Sequence, residues 1–96
     1  MENKIIEVLS ALGTDKFHTE YLMDLGDEID VDGETYPIAC DTVLLVDGSV
    51  YVCDSNDENE DGSFDDEDLH AFSDLDDNTK CEVANAINMT VALGKY

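Results

Sequence analysis

The fold is decided by residues 28–53, EIDVDGETYPIACDTVLLVDGSVYVC, which contain two Asp-Gly dipeptides between strand-like segments. The dipeptides are Asp32-Gly33 and Asp47-Gly48. Asp-Gly is typical of two-residue hairpin turns, because both turn positions require a positive φ that these residues tolerate. The segment therefore predicts two hairpins, and with them a sheet at the centre of the protein.

The position of each turn also predicts which residues face each other across the strands. Directly opposed residues share one face of an antiparallel pair, so the second hairpin has one wholly apolar side that suits a core. Pro37 lacks the N–H that a strand ladder needs, which predicts that its strand lies at an edge. The predicted cross-strand pairs are Leu45 with Val50, Val43 with Val52, and Ile29 with Tyr36.

Two helices are predicted before this segment. Residues 3–12 carry apolar side chains at helical spacing and are followed by a glycine suited to a helix end. Residues 14–25 predict a second helix with a threonine as its cap, because Phe17, Tyr21 and Leu25 recur every four residues.

A last helix is predicted from Thr79 to about Leu93. Thr79 and Glu82 have the spacing of a capping box, and Gly94 follows as the helix end. The fold prediction is therefore a single α+β domain spanning residues 1–96. It comprises two N-terminal helices, a four-stranded antiparallel meander of two hairpins, an acidic connector, and a C-terminal helix packed on the sheet.

The charge of the chain restricts its partners. It contains 25 acidic residues, four lysines and no arginine, which gives a formal net charge of -21 at pH 7. Direct binding to nucleic acid or to an anionic membrane is disfavoured, because both require cationic groups that face phosphate. Cations and basic protein surfaces are the partners that such a charge attracts.

The compartment predicted from the sequence is the cytoplasm. The first residues lack the apolar segment and cleavage site of a secretory signal, and no apolar run is long enough to cross a bilayer. Cys40, Cys53 and Cys81 are an odd number without C-x-x-C spacing, which predicts buried and reduced thiols.

Residues 57–68, DENEDGSFDDED, resemble the twelve-residue calcium loop of the EF-hand family. The segment before this loop predicts a strand where the family has a helix. The last ligand would be an aspartate in place of the usual bidentate glutamate, which lowers selectivity for Ca²⁺ over Mg²⁺. A solvated acidic loop without specific calcium binding is the alternative. The ligands that the resemblance implies are Asp57, Asn59, Asp61, Ser63 through its carbonyl, Asp65 and Asp68.

The loop belongs to a longer acidic connector, residues 54–77, in which twelve of 24 residues are acidic and none is lysine or arginine. This concentration of anionic groups predicts that the connector binds a basic surface of a partner protein. The predicted contact residues are Asp54, Glu58, Glu60, Asp65, Asp66, Glu67, Asp74, Asp76 and Asp77.

The charge density of the chain is comparable with that of DNA. A compact chain of this length has a diameter of roughly 32 Å, and duplex DNA of that length carries about 19 charges. In composition the chain is similar to the small phage-encoded DNA mimics that block restriction or CRISPR nucleases. That similarity implies an inhibitor of phage or mobile-element origin whose target is a nucleic-acid-binding protein. A structural or accessory protein of a mobile element is an alternative, as is acidity that serves solubility alone.

Motifs that identify catalytic sites are missing from the sequence. It has no glycine-rich phosphate loop and no Cys/His cluster with metal-ligand spacing. His18-Thr-Glu20 has the H-x-E pattern of zinc deaminases, but the P-C-x-x-C partner is lacking. We therefore predict a binding protein that is not an enzyme and has no cofactor, apart from Ca²⁺ in the EF-hand interpretation.

Overall fold

A computed structural model describes the backbone of residues 2–94 and, except at position 27, their side chains. This part of the chain forms two α-helices, four strands and three single turns of 3-10 helix. The helices and strands are α1 Glu2–Leu12, β1 Lys16–Val31, β2 Glu34–Val46, β3 Ser49–Cys53, β4 His70–Ala71 and α2 Asp77–Leu93. The 3-10 turns are Ser55–Asp57, Asp66–Asp68 and Phe72–Asp74.

The strands form one antiparallel sheet in the order β1-β2-β3-β4, and the predicted α+β class is confirmed. Both hairpin turns lie where the Asp-Gly dipeptides predicted them. The aspartates have φ values of 53° and 51° and the glycines 83° and 80°, so both central positions of each turn are left-handed. All three predicted cross-strand pairs are present in the register of the sheet.

The two hairpins share a strand, which corrects the predicted layout of two separate hairpins. No turn-forming pair interrupts the chain between the two turns, so β2 continues from one to the other. It pairs with β3 only from Thr42 to Val46, and the fourth strand, β4, comes from the connector. The prediction that the strand of Pro37 lies at an edge is wrong for the strand as a whole, because β2 lies between β1 and β3. At Pro37 itself one side of β2 has no neighbouring strand, and the missing N–H is tolerated.

The predicted second helix is wrong, because the same residues form most of the long strand β1. Phe17, Tyr21 and Leu25 recur every four residues, which is close to one helical turn and also twice the strand period. Thr19 and Met23 occupy the positions between them and are buried like Phe17 and Leu25, while Tyr21 is partly buried. Burial therefore recurs at every second residue, which is the period of a strand.

The hydrophobic core lies between the sheet and the two helices. α2 packs against β1, and α1 packs against β3. Val43 and Val52, which face each other across β2 and β3, have no exposed surface. The buried cluster consists of Ile5, Leu9, Phe17, Met23, Leu25, Cys40, Val43, Val50, Val52, Phe72, Val83, Ala86 and Ile87.

The start of α2 differs from the predicted capping box. Asp76, rather than Thr79, is the N-cap, and its carboxylate accepts a hydrogen bond of 2.7 Å from the backbone N–H of Thr79. Aspartate is as good a cap as threonine, and placing the cap at Asp76 lets the side chain of Thr79 enter the protein, where it is buried. The predicted end is confirmed, since Gly94 is the C-cap with a φ of 67°.

Candidate functional site

The acidic connector is folded against the sheet. It enters directly after β3, makes three single turns of 3-10 helix, and contributes β4 before it reaches α2. A segment that is half acidic is normally disordered unless other parts of the protein hold it. Contacts at its beginning, middle and end supply that support here.

At its beginning the connector is held by Asp41 of β2. The Asp41 carboxylate accepts hydrogen bonds from the backbone N–H of Ser55 at 2.8 Å and from its hydroxyl at 2.7 Å. Burial alone would raise the pKa of Asp41, but the hydrogen bonds from Ser55 and Thr42 outweigh it and lower that pKa. Asp41 is therefore held in its charged form by the contact that anchors the connector.

In its middle the connector is held by Lys16 of β1. The Lys16 ammonium forms an ion pair with Glu58 and lies 5.4 Å from the centroid of the Phe64 ring. Both ion-pair side chains are partly exposed, so the pair alone contributes little stability. The cation–π contact adds to it, because the same ammonium faces an aromatic ring. Lys16 thus joins two separate parts of the connector to β1.

At its end the connector joins the sheet and the core. β4 pairs with β3 through Tyr51 with Ala71 and Val52 with His70. Phe72 follows directly and is buried in the hydrophobic cluster. Lys80 of α2 lies 5.9 Å from the centroid of the Phe72 ring. The connector is thus anchored by an apolar residue just before α2 begins.

The residues of the EF-hand-like loop fall into two groups. In the first half, Asp61 accepts hydrogen bonds from the backbone N–H of Ser63 at 3.0 Å and from its hydroxyl at 2.6 Å. The Asn59 amide donates to the Ser63 hydroxyl at 3.2 Å and to Asp65 at 3.4 Å. These local contacts order a turn whose side-chain oxygens already accept protein hydrogen bonds.

The second half of the loop brings three carboxylates together. One oxygen from each of Asp65, Glu67 and Asp68 lies within 4.8 Å of the others. The 3-10 turn places residues three apart on one side, which aligns Asp65 with Asp68. The cluster does not include Asp57 or Asp61, which were predicted as ligands, and it adds Glu67, which was predicted only as a partner contact. Oxygen-only groups of this kind suit Ca²⁺ or Mg²⁺.

The pKa of Asp57 is raised by its surroundings in the connector. Burial raises its pKa most, the nearby carboxylates of Asp68 and Asp54 raise it further, and His70 opposes them. The fold therefore disfavours the charged form of Asp57. A cation or a basic side chain at this point would relieve that repulsion.

The predicted partner-contact residues are mostly accessible. Asp54 is half-buried, and its side chain caps the first 3-10 turn through the backbone N–H of Asn56. Glu58 and Asp76 are exposed but already engaged, the first with Lys16 and the second as the cap of α2. The other exposed members of the set are Glu60, Asp65, Asp66, Glu67, Asp74 and Asp77.

The three cysteines differ in exposure. Cys40 and Cys53 are buried free thiols, as predicted, whereas Cys81 on the outer face of α2 is exposed, which corrects its prediction as buried. Burial raises the pKa of Cys40 and of Cys53 to about 12, and neighbouring negative charges add to the effect. Both buried thiols therefore stay protonated at neutral pH and act as small apolar side chains.

Comparison of the chain with protein-family models, with curated proteins and with solved structures found no match. Within residues 2–94, no helix combines the length and the apolarity needed to cross a bilayer. The function proposed below accordingly rests on charge, burial and contacts within the chain.

Proposed function

We propose that this protein is a non-catalytic binding protein whose acidic connector docks on a basic surface of a partner protein. The observation that carries the proposal is the fixed position of the connector on the sheet. It is fastened by Asp41, Lys16 and Phe72, while most of its carboxylates remain exposed. An ordered anionic surface loses less conformational entropy on binding than a flexible acidic tail would lose.

The charge balance supports a cationic partner. Among the described residues, Lys16 is the lysine that pairs with a carboxylate, and Lys80 lies over an aromatic ring. Four lysines can neutralise only four of the 25 acidic side chains of the chain, so repulsion among the others remains. Lysine and arginine side chains of a partner would lower this repulsion, and the long-range field would speed their approach.

A nucleic-acid-binding protein is the specific partner class that we propose. The longest dimension of the described structure is 43 Å, and duplex DNA of that length carries about 25 charges. A formal charge of -21 on a compact domain is close to that density. A cationic groove that accepts DNA would therefore also attract this protein, which would then act as an inhibitor by occupying the groove.

Neutralising exposed carboxylates in the connector tests the proposal. The variant D65N/D66N/D74N removes three charges from the connector, and E7Q/D15N/E82Q removes three exposed charges elsewhere. The probe is a short oligolysine peptide, titrated by calorimetry at several salt concentrations. We expect the connector variant to bind about fivefold more weakly than the control, with a shallower salt dependence.

Equal losses in the two variants would contradict the proposal, because they would mean that binding depends on total charge alone. Partner identity is tested separately, with a protein captured on the immobilised chain. Duplex DNA should release that protein at a concentration where the same charge of polyglutamate does not. Equal release by both polyanions would rule out mimicry of nucleic acid.

The second candidate function is binding of a divalent cation, and the approach of the carboxylates of Asp65, Glu67 and Asp68 favours it. The cation could bind to this cluster alone or to the whole EF-hand-like loop, and calorimetric titration with Ca²⁺ in physiological salt distinguishes these two versions. Binding at the cluster is lost in D65N/D68N and retained in D61N. Binding by the whole EF-hand-like loop is lost in both variants, because Asp61 would then be a ligand. If calcium uptake is weak and disappears as salt is added, neither version holds.

A further inference from the structure

The hairpin arm, residues 28–37, carries an exposed apolar patch. Ile29, Val31 and Tyr36 have 49%, 47% and 47% of their surface exposed. Ile29 faces Tyr36 across the strands, and Val31 lies two residues further along the same face. Three large apolar side chains are thus side by side on one face of the ribbon.

The arm is exposed because it extends beyond the rest of the sheet. β3 pairs with β2 only from Thr42 to Val46, so the arm consists of β1 and β2 alone. Every residue from Glu28 to Pro37 is exposed. A two-stranded ribbon gains little stability in water, and an exposed apolar patch on it is typical of an interaction site.

A carboxylate lies beside the patch, in an arm that is acidic throughout. Glu34 faces Val31 on the patch side of the ribbon, whereas Glu28 and Asp30 lie on its other face, and the arm contains no lysine or arginine. The hydroxyl of Tyr36 donates a hydrogen bond to Glu34, so that an acidic group is held beside the patch. An apolar centre with a charged border is the usual composition of a protein interface.

The patch is continuous with the acidic connector. A cavity of about 170 Å³ lies between them, with Ile29, Ile38 and Cys40 on the side of the sheet. Asp54, Asp57 and His70 line it on the side of the connector. The arm and the connector therefore form one surface, with apolar groups at one end and carboxylates at the other.

We propose that the hairpin arm binds an apolar side chain of the basic partner, in a segment where that side chain is flanked by lysine or arginine. The inference rests on the proposed function and adds the apolar anchor to it. Charge complementarity selects this occupant, because a second copy of the chain would bring another net charge of -21 to a surface that is itself acidic. Nucleic acid itself is excluded for the same reason.

The test compares two peptide probes of equal charge, one alternating lysine with leucine and the other alternating lysine with serine. The variant I29T/V31T removes most of the patch and keeps the branched side chains that a strand favours. M89Q is the control, because Met89 is 48% exposed and lies towards the end of α2 that is away from the arm: Asp76 at the start of α2 lies beside Gly26, whereas Thr90 pairs with Thr19. Binding of both peptides is measured by calorimetry, and backbone amide shifts of the wild-type chain locate the contact.

We expect the leucine peptide to bind the wild-type chain and M89Q roughly tenfold more tightly than the serine peptide. In I29T/V31T this preference should disappear while binding of the serine peptide is unchanged. The largest amide shifts that are specific to the leucine peptide should lie in residues 28–40. The shift measurement uses the wild-type chain, so it decides the question even if the double variant folds poorly.

If the two peptides bind the wild-type chain equally, the arm does not bind an apolar side chain of the partner. The proposed function of the connector is unaffected by that result. If neither peptide binds at low salt, both proposals fail. Sedimentation equilibrium can also contradict the proposal. If the wild-type chain is a dimer and I29T/V31T is a monomer, the arm binds a second copy of the chain. Amide shifts confined to the connector would also overturn it.

Discussion

The two Asp-Gly hairpins have the same turn chemistry and opposite environments. In the hairpin of β2 and β3, Val50 and Val52 are at most 1% exposed, whereas Val31 in the hairpin of β1 and β2 is 47% exposed. Both turns have left-handed aspartate and glycine residues, and both hairpins have the predicted register. The turn therefore determines pairing, while burial depends on elements that are distant in sequence.

Those distant elements are the two helices. α1 packs against β3, and α2 packs against β1, so the body hairpin of β2 and β3 becomes part of the core. The hairpin arm extends past this cover, and the same kind of residues there stay about half exposed. The difference indicates that the body hairpin contributes to the stability of the core and that the arm contributes little to it.

The largest expected effect is the loss of stability when a buried residue of the body hairpin is replaced. Val52→Ala should lower the free energy of unfolding by about 2–3 kcal/mol, because it removes buried methyl groups and leaves a cavity. Val31→Ala, the matched change in the arm, should cost less than about 0.5 kcal/mol. Urea unfolding followed by circular dichroism measures both. Similar losses would mean that the arm is covered in solution.

The next effect concerns Asp41, which lies where β2 passes from the arm to the body hairpin. Asp41→Ala should cost about 1–2 kcal/mol, because the hydrogen bonds from Ser55 are lost and the connector is released. The pKa of Asp41 is lowered by folding, so its contribution is present above the ordinary value of 3.8. It is lost as pH falls through the lower pKa of the folded state.

Asp57→Asn is the control for that prediction. Folding raises the pKa of Asp57, so its charged form opposes folding at neutral pH. Neutralising it should leave the protein as stable at pH 7 or slightly more stable. Unfolding curves of the wild-type chain and both variants, recorded between pH 7 and pH 3, measure whether each substitution lowers or raises the free energy of unfolding. A loss of stability in Asp57→Asn would contradict the assigned repulsion.

The smallest effect concerns the turns themselves. Gly48→Ala should cost about 1 kcal/mol, because alanine is strained at a φ of 80°. Gly33→Ala introduces the same strain at a φ of 83°, but the arm can open without unfolding the core. We therefore expect a smaller loss of global stability and faster amide exchange confined to residues 28–37. Equal global losses would show that the arm and the core unfold together.

Local chemistry in the sequence predicted the turns, the cross-strand pairs and the C-terminal ends of the first and last helices. β1 was missed because Phe17, Tyr21 and Leu25 satisfy the helical and the strand period at once. Thr19, a branched residue at the alternate position, was the signal that could have separated the two. Its hydroxyl is paired with that of Thr90, which only the folded chain brings close.

The site was predicted in composition and not in geometry. Counting carboxylates located the acidic connector, but Lys16 and Glu58 are 42 residues apart and their pairing depends on the tertiary fold. The ligand template predicted Asp65 and Asp68 together with Asp57 and Asp61, whereas the single 3-10 turn brings Asp65 and Asp68 together with Glu67. The apolar patch was missed for a related reason. Ile29 and Tyr36 were correctly paired, but no local pattern shows that the helices stop short of them.

The uninterrupted course of β2 also decides which way the arm is turned. Side chains alternate between the two faces of a strand, so the number of residues between the turns, together with the two register shifts of β1 against β2, sets the side of the molecule on which Ile29, Val31 and Tyr36 emerge. Deleting one residue from 38–41 would leave both turns and the body hairpin in place and rotate the patch to the opposite side. The orientation of this surface is therefore encoded by a count of residues rather than by their chemical identity.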